Sequence, residues 1–88
     1  MIKHLQIIIT GKVDNTGFRL FSFRGASVLK INGEVRQVKG KICIEAEGEE
    51  NRLISFTEWC KKGTPSSHIE TIKIKEKEVI GYIGFSIL

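Results

Sequence analysis

Apolar and polar residues alternate along several stretches of the chain, and a period of two residues predicts half-buried β-strands. The alternation is clearest in residues 3–12, where Leu5, Ile7 and Ile9 alternate with a mostly polar set, His4, Gln6, Ile8 and Thr10. Lys39–Gly40 predicts a tight hairpin turn between the strands predicted for residues 33–38 and 41–47. The predicted strands, in chain order, are residues 3–12, 33–38, 41–47, 68–77 and 82–88.

Two other stretches carry apolar residues at helical spacing and predict amphipathic helices. Asn32–Gly33 and Gly63 predict the ends of these helices, because residues that accept a positive φ commonly follow the last helical turn. The predicted apolar stripes are Phe18, Phe21, Gly25, Val28 and Leu29 in residues 18–30, and Leu53, Phe56 and Cys60, with Trp59 at the edge, in residues 50–62.

The order of these elements, β-α-β-β-α-β with one more strand at the end, predicts a ferredoxin-like split β-α-β sandwich of the α+β class. Two helices would then cover one face of an antiparallel sheet. A chain of 88 residues has room for one hydrophobic core, so we expect a single domain over residues 1–88.

The charge of the chain narrows its possible ligands. A net charge of +4 favours anionic ligands. The lysines are interleaved with glutamates, however, so a mixed solvated surface is predicted rather than a patch for nucleic acid. These glutamates are Glu45, Glu47, Glu49, Glu50, Glu76 and Glu78.

The chain lacks an apolar run of the roughly 20 residues that a membrane span needs, and its first residues do not resemble a secretory signal. Cys43 and Cys60 are predicted to be reduced thiols, one on the outer face of a strand and one in the helix core. With only His4 and His68 to add, no metal site is predicted. A cytoplasmic protein is the expectation.

The most informative stretch is Val13–Arg19, which joins the first predicted strand to the first predicted helix. Backbone N–H groups at a helix N-terminus lack partners and carry partial positive charge. Arg19 adds a planar set of donors suited to phosphate. A cation is unfavourable at this end of a helix, so its presence there indicates a nearby anion. The stretch therefore predicts an anion site.

The same stretch resembles the signature of the acylphosphatase family, V-Q-G-V-G-F-R, with Val13, Gly17, Phe18 and Arg19 in register. Gly33–Gln37 falls where the second family signature, G-x-V-R-N, is expected. The hairpin strand, the second helix and the closing strand are also similar to those of the family, so the resemblance covers essentially the whole chain. The residues that carry this wider similarity are Gly40, Ile42 to Gly48, Leu53, Phe56, Trp59, Gly63, Pro65 and Tyr82 to Ile87.

The resemblance implies hydrolysis of carboxyl phosphates, the mixed anhydrides of carboxylic and phosphoric acids, without a metal or a cofactor. In the family, the loop N–H groups and the signature arginine bind the phosphoryl group, and the asparagine of G-x-V-R-N orients the attacking water. The Phe18 side chain is predicted to be a core anchor. By their positions in the two signatures, the residues implied to bind phosphate are Asn15, Thr16, Gly17, Phe18 and Arg19. The residues implied to be catalytic are Arg19 and Gln37.

Two departures from the family pattern bear on activity. Gln37 replaces the asparagine and carries its carboxamide roughly 1 Å further from the backbone, so reduced activity is expected. Asp14-Asn15-Thr16 replaces Q-G-V in the first signature. Asn15 is able to adopt the left-handed conformation of the family glycine, and Asp14 is expected to act as a turn or cap residue.

One alternative function stays open at this point: a catalytically degenerate acylphosphatase-like module that binds an anion or a partner protein. RNA recognition would require aromatic residues on the open sheet face, where only Tyr82 and Phe85 are candidates. Gly11–Lys12 lacks the glycine spacing of a P-loop, and no serine has the context of a nucleophile. We expect a monomer that acts on a small-molecule acyl phosphate or phosphate anion, with no membrane or nucleic-acid partner.

Overall fold

In the computed structural model, which describes all 88 residues, two helices pack on one face of a five-stranded sheet. The order of elements along the chain is the predicted one, and the ferredoxin-like α+β fold is confirmed. Neither helix has both the length and the apolar character needed to cross a membrane. The elements are β1 Ile2–Lys12, α1 Phe18–Leu29, β2 Asn32–Val38, β3 Lys41–Glu49, α2 Glu50–Lys62, β4 His68–Lys77 and β5 Phe85–Ile87.

The sheet is mixed, with the strand order β4-β1-β3-β2-β5. The first three pairs of neighbours are antiparallel, but β5 pairs parallel with β2. The expectation of a wholly antiparallel sheet was wrong for this last pair. The cause is topological, because β4 and β5 lie at opposite edges and the chain crosses the sheet at the end where β4 finishes. Since β2 and β5 both run opposite to β4, they run parallel to each other.

The hydrophobic core lies between the two helices and one face of the sheet. Phe18 is 1 % exposed and anchors the start of α1 in this core, as predicted. Burial raises the pKa of the Cys60 thiol to about 12, so this cysteine is not a nucleophile near neutral pH. The sheet and helix residues that form the centre of the core are Ile7, Ile9, Val35, Ile42, Ile44, Ala46, Phe18, Ala26, Leu53, Phe56 and Cys60.

The end and the buried face of α1 differ from the prediction. The helix ends at Leu29 because Lys30 adopts the left-handed conformation, with φ of 57°, and Asn32 already belongs to β2. Val28 is exposed, and Ser22 is buried in its place. A buried serine is tolerated in this helix because its hydroxyl donates a hydrogen bond to the carbonyl oxygen of Phe18 at 2.9 Å.

Two strand boundaries also differ. β3 continues to Glu49, directly before α2, instead of ending at Glu47. The last strand covers only Phe85–Ile87, because residues 78–84, here called the crossing segment, carry the chain from one edge of the sheet to the other.

Glu47 holds the crossing segment against the sheet face that the helices leave open. The prediction of a solvated side chain was wrong, since Glu47 is 3 % exposed. Its carboxylate accepts hydrogen bonds from the N–H groups of Ile80 at 2.5 Å, Gly81 at 3.0 Å and Tyr82 at 2.9 Å. Charge-assisted bonds of this kind are about twice as strong as neutral ones, so one side chain fixes three consecutive residues of the segment.

His4 completes this buried polar cluster. It is fully buried on β1, directly opposite Glu47 in the sheet register. Its Nε2 lies 2.6 Å from Glu45 Oε1, and its Nδ1 lies 2.9 Å from the carbonyl oxygen of Glu78. Tyr82 packs edge-on against the ring. Both ring nitrogens therefore have oxygen partners, as a buried polar group requires.

The pKa of the Glu47 carboxyl is lowered by this arrangement. Burial acts to raise it, but the N–H groups of Ile80, Tyr82 and Gly81, together with the charge of His4, lower it by more. A carboxyl with a depressed folded-state pKa stabilises the fold above its ordinary pKa, and this contribution is lost as pH falls through the depressed value.

Replacing Glu47 by glutamine is therefore expected to destabilise the fold by about 2 kcal/mol at neutral pH, because the charge-assisted bonds are lost. Urea unfolding measured from neutral to acidic pH should show the difference between the two proteins shrinking as pH falls. Glu58→Gln, on the exposed face of α2, is the matched control and should change stability by less than about 0.5 kcal/mol. A difference that stays constant down to the lowest pH would contradict the role given to the Glu47 charge.

Candidate active site

One cavity of ~280 Å³ opens at the end of the sheet where α1 begins. The last residues of β1, β2 and β5 reach this same end, because β5 runs parallel to β2. Pocket volumes near 300 Å³ suit small ligands. The residues that line the cavity are Asn15, Gly17, Phe18, Arg19, Leu20, Gln37 and Ile87.

The loop of residues 13–17, here called the β1–α1 loop, contributes Asn15 and Gly17 to the lining of the cavity. Asn15 and Gly17 both have positive φ, 57° and 76°, so Asn15 adopts the left-handed conformation that was predicted for it. No main-chain hydrogen bond outside the helices and strands is donated by residues 14–17. No atom lies within 4 Å of the position that a Cβ would take at Gly17. The N–H groups of residues 14–17 are therefore without a main-chain acceptor.

Contacts on its other side hold the β1–α1 loop in place. Both carboxylate oxygens of Asp14 lie 3.0 Å from the N–H of Gly40, which donates to them from the turn between β2 and β3. The Thr16 hydroxyl donates to the carbonyl oxygen of Val13 at 2.6 Å. The expectation that Asp14 is a turn residue is confirmed, and its negative charge is bound to the turn and not to the cavity.

The N-terminus of α1 is unusual in its charge. Gly17 caps the helix without a side chain, and the first turn contains no acidic residue. Arg19 lies in that turn, and its Nη1 donates to the main-chain oxygen of Leu88 at 3.0 Å. No ion pair of the structure includes Arg19. The guanidinium and the helix dipole thus place positive charge at one cavity, with no acidic side chain paired to it.

Gln37 lies near the end of β2, half-buried, and lines the same cavity as Arg19. The two residues are 18 positions apart in the chain. The fold brings them together because the end of β2 lies beside the start of α1. Of the residues predicted to bind phosphate, Asn15, Gly17, Phe18 and Arg19 line the cavity.

Thr16 does not line this cavity. It borders a separate depression on the other side of the β1–α1 loop, together with Asp14 and Ser66. The reason is the bond from its hydroxyl to Val13, which turns the side chain back toward β1. Leu20 and Ile87, by contrast, line the cavity without having been predicted. Leu20 directly follows the signature arginine, which is a usable signal, whereas Ile87 depends on the parallel pairing of β5.

A larger concave region of ~580 Å³ lies on the open face of the sheet, and several of its polar groups are paired with one another. Glu45 accepts from Gln6 at 3.0 Å as well as contacting His4, and Arg36 pairs with Glu34 at 3.3 Å. Glutamates outnumber lysine and arginine in its lining, so the region does not favour an anionic ligand. Of the two aromatic residues considered for RNA recognition, only Tyr82 lies here, while Phe85 packs against the core.

No group of three or more His, Cys, Asp or Glu side chains is placed to hold a metal ion. The residues that line the cavity at the start of α1 are a glycine, an arginine, two residues with carboxamides and three apolar residues. These groups suit a phosphate oxyanion, which takes N–H donors and a cation without needing a metal.

The chain is similar to known proteins over nearly all of its length. The acylphosphatase family model matches residues 5–87. An acylphosphatase of Bacillus subtilis (strain 168) is 39 % identical over 85 residues, covering 94 % of this chain and 93 % of that protein. One from Thermotoga petrophila is 36 % identical over 87 residues, covering 98 % and 97 % of the two chains. A crystal structure of acylphosphatase from Bacillus subtilis superposes with a TM-score of 0.93 at 38 % identity, over 100 % of this chain and 99 % of that one.

The left-handed backbone at Asn15 leads to a stability prediction. Asn15→Ala should lower the free energy of unfolding by about 1 kcal/mol, because a residue with an ordinary Cβ is strained at this φ. Asn15→Gly should stay within about 0.5 kcal/mol of the parent, since glycine adopts the conformation freely. Lys30→Gly, at the other left-handed residue, should stabilise the fold by about 0.5 kcal/mol. Equal effects of alanine and glycine at position 15 in urea unfolding would contradict this account.

Proposed function

The chain belongs to the acylphosphatase family, and we propose that its cavity at the start of α1 hydrolyses carboxyl phosphates without a metal. An acyl phosphate and water give a carboxylate and inorganic phosphate. The observation that carries the assignment to this cavity is an arginine with no acidic partner beside unused N–H groups at a helix N-terminus.

Binding of the phosphoryl group falls to the β1–α1 loop and Arg19. Asn15, Gly17 and Phe18 line the cavity, and their N–H groups have no main-chain acceptor, so they are available to phosphate oxygens. Thr16 is left out of this role, because it does not line the cavity and its hydroxyl is bound to Val13. The Arg19 guanidinium keeps donors beyond the one directed at Leu88. Fixed donors of this kind stabilise the charge that develops on the phosphoryl oxygens during transfer.

Gln37 is assigned the role of orienting the attacking water. Its carboxamide accepts a hydrogen bond from the water while the phosphoryl group is held on the loop, so the water oxygen is directed at phosphorus. The new bond joins that oxygen to phosphorus, and the bond between phosphorus and the acyl oxygen breaks. The electron pair leaves with the carboxylate, and the water proton passes to solvent. A carboxylate is a weak base, so its departure requires no general acid.

The glutamine at position 37 bears directly on the rate. Its carboxamide stands roughly 1 Å further from the backbone than that of asparagine, and a misplacement of this size can cost about 100-fold. We therefore expect turnover with reduced activity. The alternative, an anion-binding module without turnover, is favoured by the same residue and would use the same loop.

We further propose that the protein acts as a monomer on small-molecule acyl phosphates in the cytoplasm. One copy of the chain supplies every residue that lines the cavity. Both cysteines are free thiols, as is usual in a reducing compartment.

Arg19→Ala is expected to lower kcat/KM for benzoyl phosphate at least about 100-fold, because the cation that holds the phosphoryl group is lost. Release of phosphate from the purified protein, measured with and without a chelator, tests both the residue and the metal independence, and the chelator should have no effect. Arg24→Ala, an exposed arginine of the same helix, is the control and should behave as the parent. A parent rate no higher than that of buffer would favour the binding module instead.

Gln37→Asn is expected to raise kcat roughly tenfold while leaving KM within a few-fold, since water orientation is used in the transition state and phosphate is held elsewhere. Gln37→Ala should lower kcat, because no carboxamide then remains. The measurement is a pair of steady-state curves on variants of equal thermal stability. If kcat is unchanged in both, Gln37 takes no part in the reaction.

A further inference from the structure

Two aliphatic side chains form the part of the cavity that has no polar role. Leu20 on α1 is 48 % exposed and Ile87 on β5 is 43 % exposed, and both line the space shared by Arg19 and Gln37. Single exposed aliphatic residues are common on protein surfaces. These two differ from the common case because they come from separate elements and border one concave site.

The polar groups of the cavity divide the substrate in two. The β1–α1 loop and Arg19 take the phosphoryl group, and Gln37 takes the water, so Leu20 and Ile87 are the apolar side chains with exposed surface that remain for the acyl group. We propose that Leu20 and Ile87 form the subsite for the acyl group and give the enzyme a preference for bulky apolar acyl groups over acetyl. This inference rests on the function proposed above.

The positions of the two residues support this subsite. Leu20 follows Arg19 directly in the first turn of α1, and Ile87 precedes Leu88, whose main-chain oxygen accepts from the Arg19 guanidinium at 3.0 Å. That contact ties the start of the helix to the end of β5. Both aliphatic side chains line the same cavity as the Arg19 guanidinium, which is proposed to bind the phosphoryl group.

The chemistry of the wall also defines what it would select. Leu20 and Ile87 present carbon only, so contact with an apolar acyl group removes apolar surface of both partners from water. Acetyl is too small to contact much of either side chain. A substrate with a second anionic group on its acyl chain would gain nothing from this wall and would lose hydration on approaching it.

The test compares benzoyl phosphate with acetyl phosphate on four variants. Leu20→Gln and Ile87→Thr change the wall while keeping residues that suit a helix and a strand. Val28→Gln and Ile74→Thr are the matched controls: Val28 is an exposed residue of the same helix, and Ile74 is an exposed isoleucine of the edge strand opposite β5. The ratio of kcat/KM for the two substrates is the readout, because a general loss of stability lowers both rates together.

We expect this ratio, benzoyl over acetyl, to fall about fivefold in Leu20→Gln and in Ile87→Thr, since partial loss of one apolar contact has effects of this order. It should stay unchanged in both controls. Equal falls with both substrates would overturn the subsite, even where hydrolysis itself is observed.

A second measurement, of binding without hydrolysis, distinguishes failure of the subsite from failure of the proposed function. Affinities of benzylphosphonate and methylphosphonate, which are not hydrolysed, are measured by NMR titration of the same proteins. If the parent hydrolyses neither acyl phosphate, the proposed turnover is wrong. A preference for benzylphosphonate that is reduced in Leu20→Gln and Ile87→Thr would still support the aliphatic wall, and equal affinity for both phosphonates would overturn it.

Discussion

The binding of three consecutive backbone N–H groups by the Glu47 carboxylate is the constraint on which the rest of this structure depends. The crossing segment has almost no apolar contact of its own, and Ile80 and Ile83 are largely exposed. A chain that buries little must be held by polar bonds, and Glu47 supplies them at 2.5 to 3.0 Å from a buried position on β3. Burying this carboxylate is tolerated because three donors and His4 surround it.

Glu47 holds the crossing segment at the end of the sheet where β4 finishes, but the cavity that depends on it lies at the opposite end, where α1 begins. Once the crossing segment is held, β5 enters beside β2 and runs parallel to it, with Gly33 donating to Gly84 and Leu88 donating to Val35, both at 2.8 Å. The parallel direction brings Ile87 and Leu88 to the end where α1 begins. An antiparallel β5 would finish at the opposite end of β2, and Arg19 would lose its contact with Leu88.

The sequence allows much of this architecture to be predicted, because each local pattern agrees with the fold. The alternation of Ile42, Ile44 and Ala46 and the stripe of Leu53, Phe56 and Cys60 are buried as their periods require. Arg19 and Gln37 could be placed in one site because family signatures position them. The burial of Glu47 could not be predicted, because the alternation places its side chain on the open face of the sheet and does not show that the crossing segment covers it. Ile87 could not either, because strand direction depends on the path of the crossing segment.

The first turns of the two helices differ in their charge, and the difference concerns the cavity beside α1. In α2 the first turn contains Glu50 as well as Arg52, and Lys61 and Lys62 lie in the last turn, where they suit the helix dipole. In α1 the first turn contains Arg19 and no acidic residue. The side-chain charge of the first turn is therefore positive in α1 and balanced in α2. A cation at this end of a helix is unfavourable in the free protein. On the function proposed above, a dianionic phosphoryl group between the guanidinium and the loop would remove this repulsion, and part of its binding energy would come from that relief.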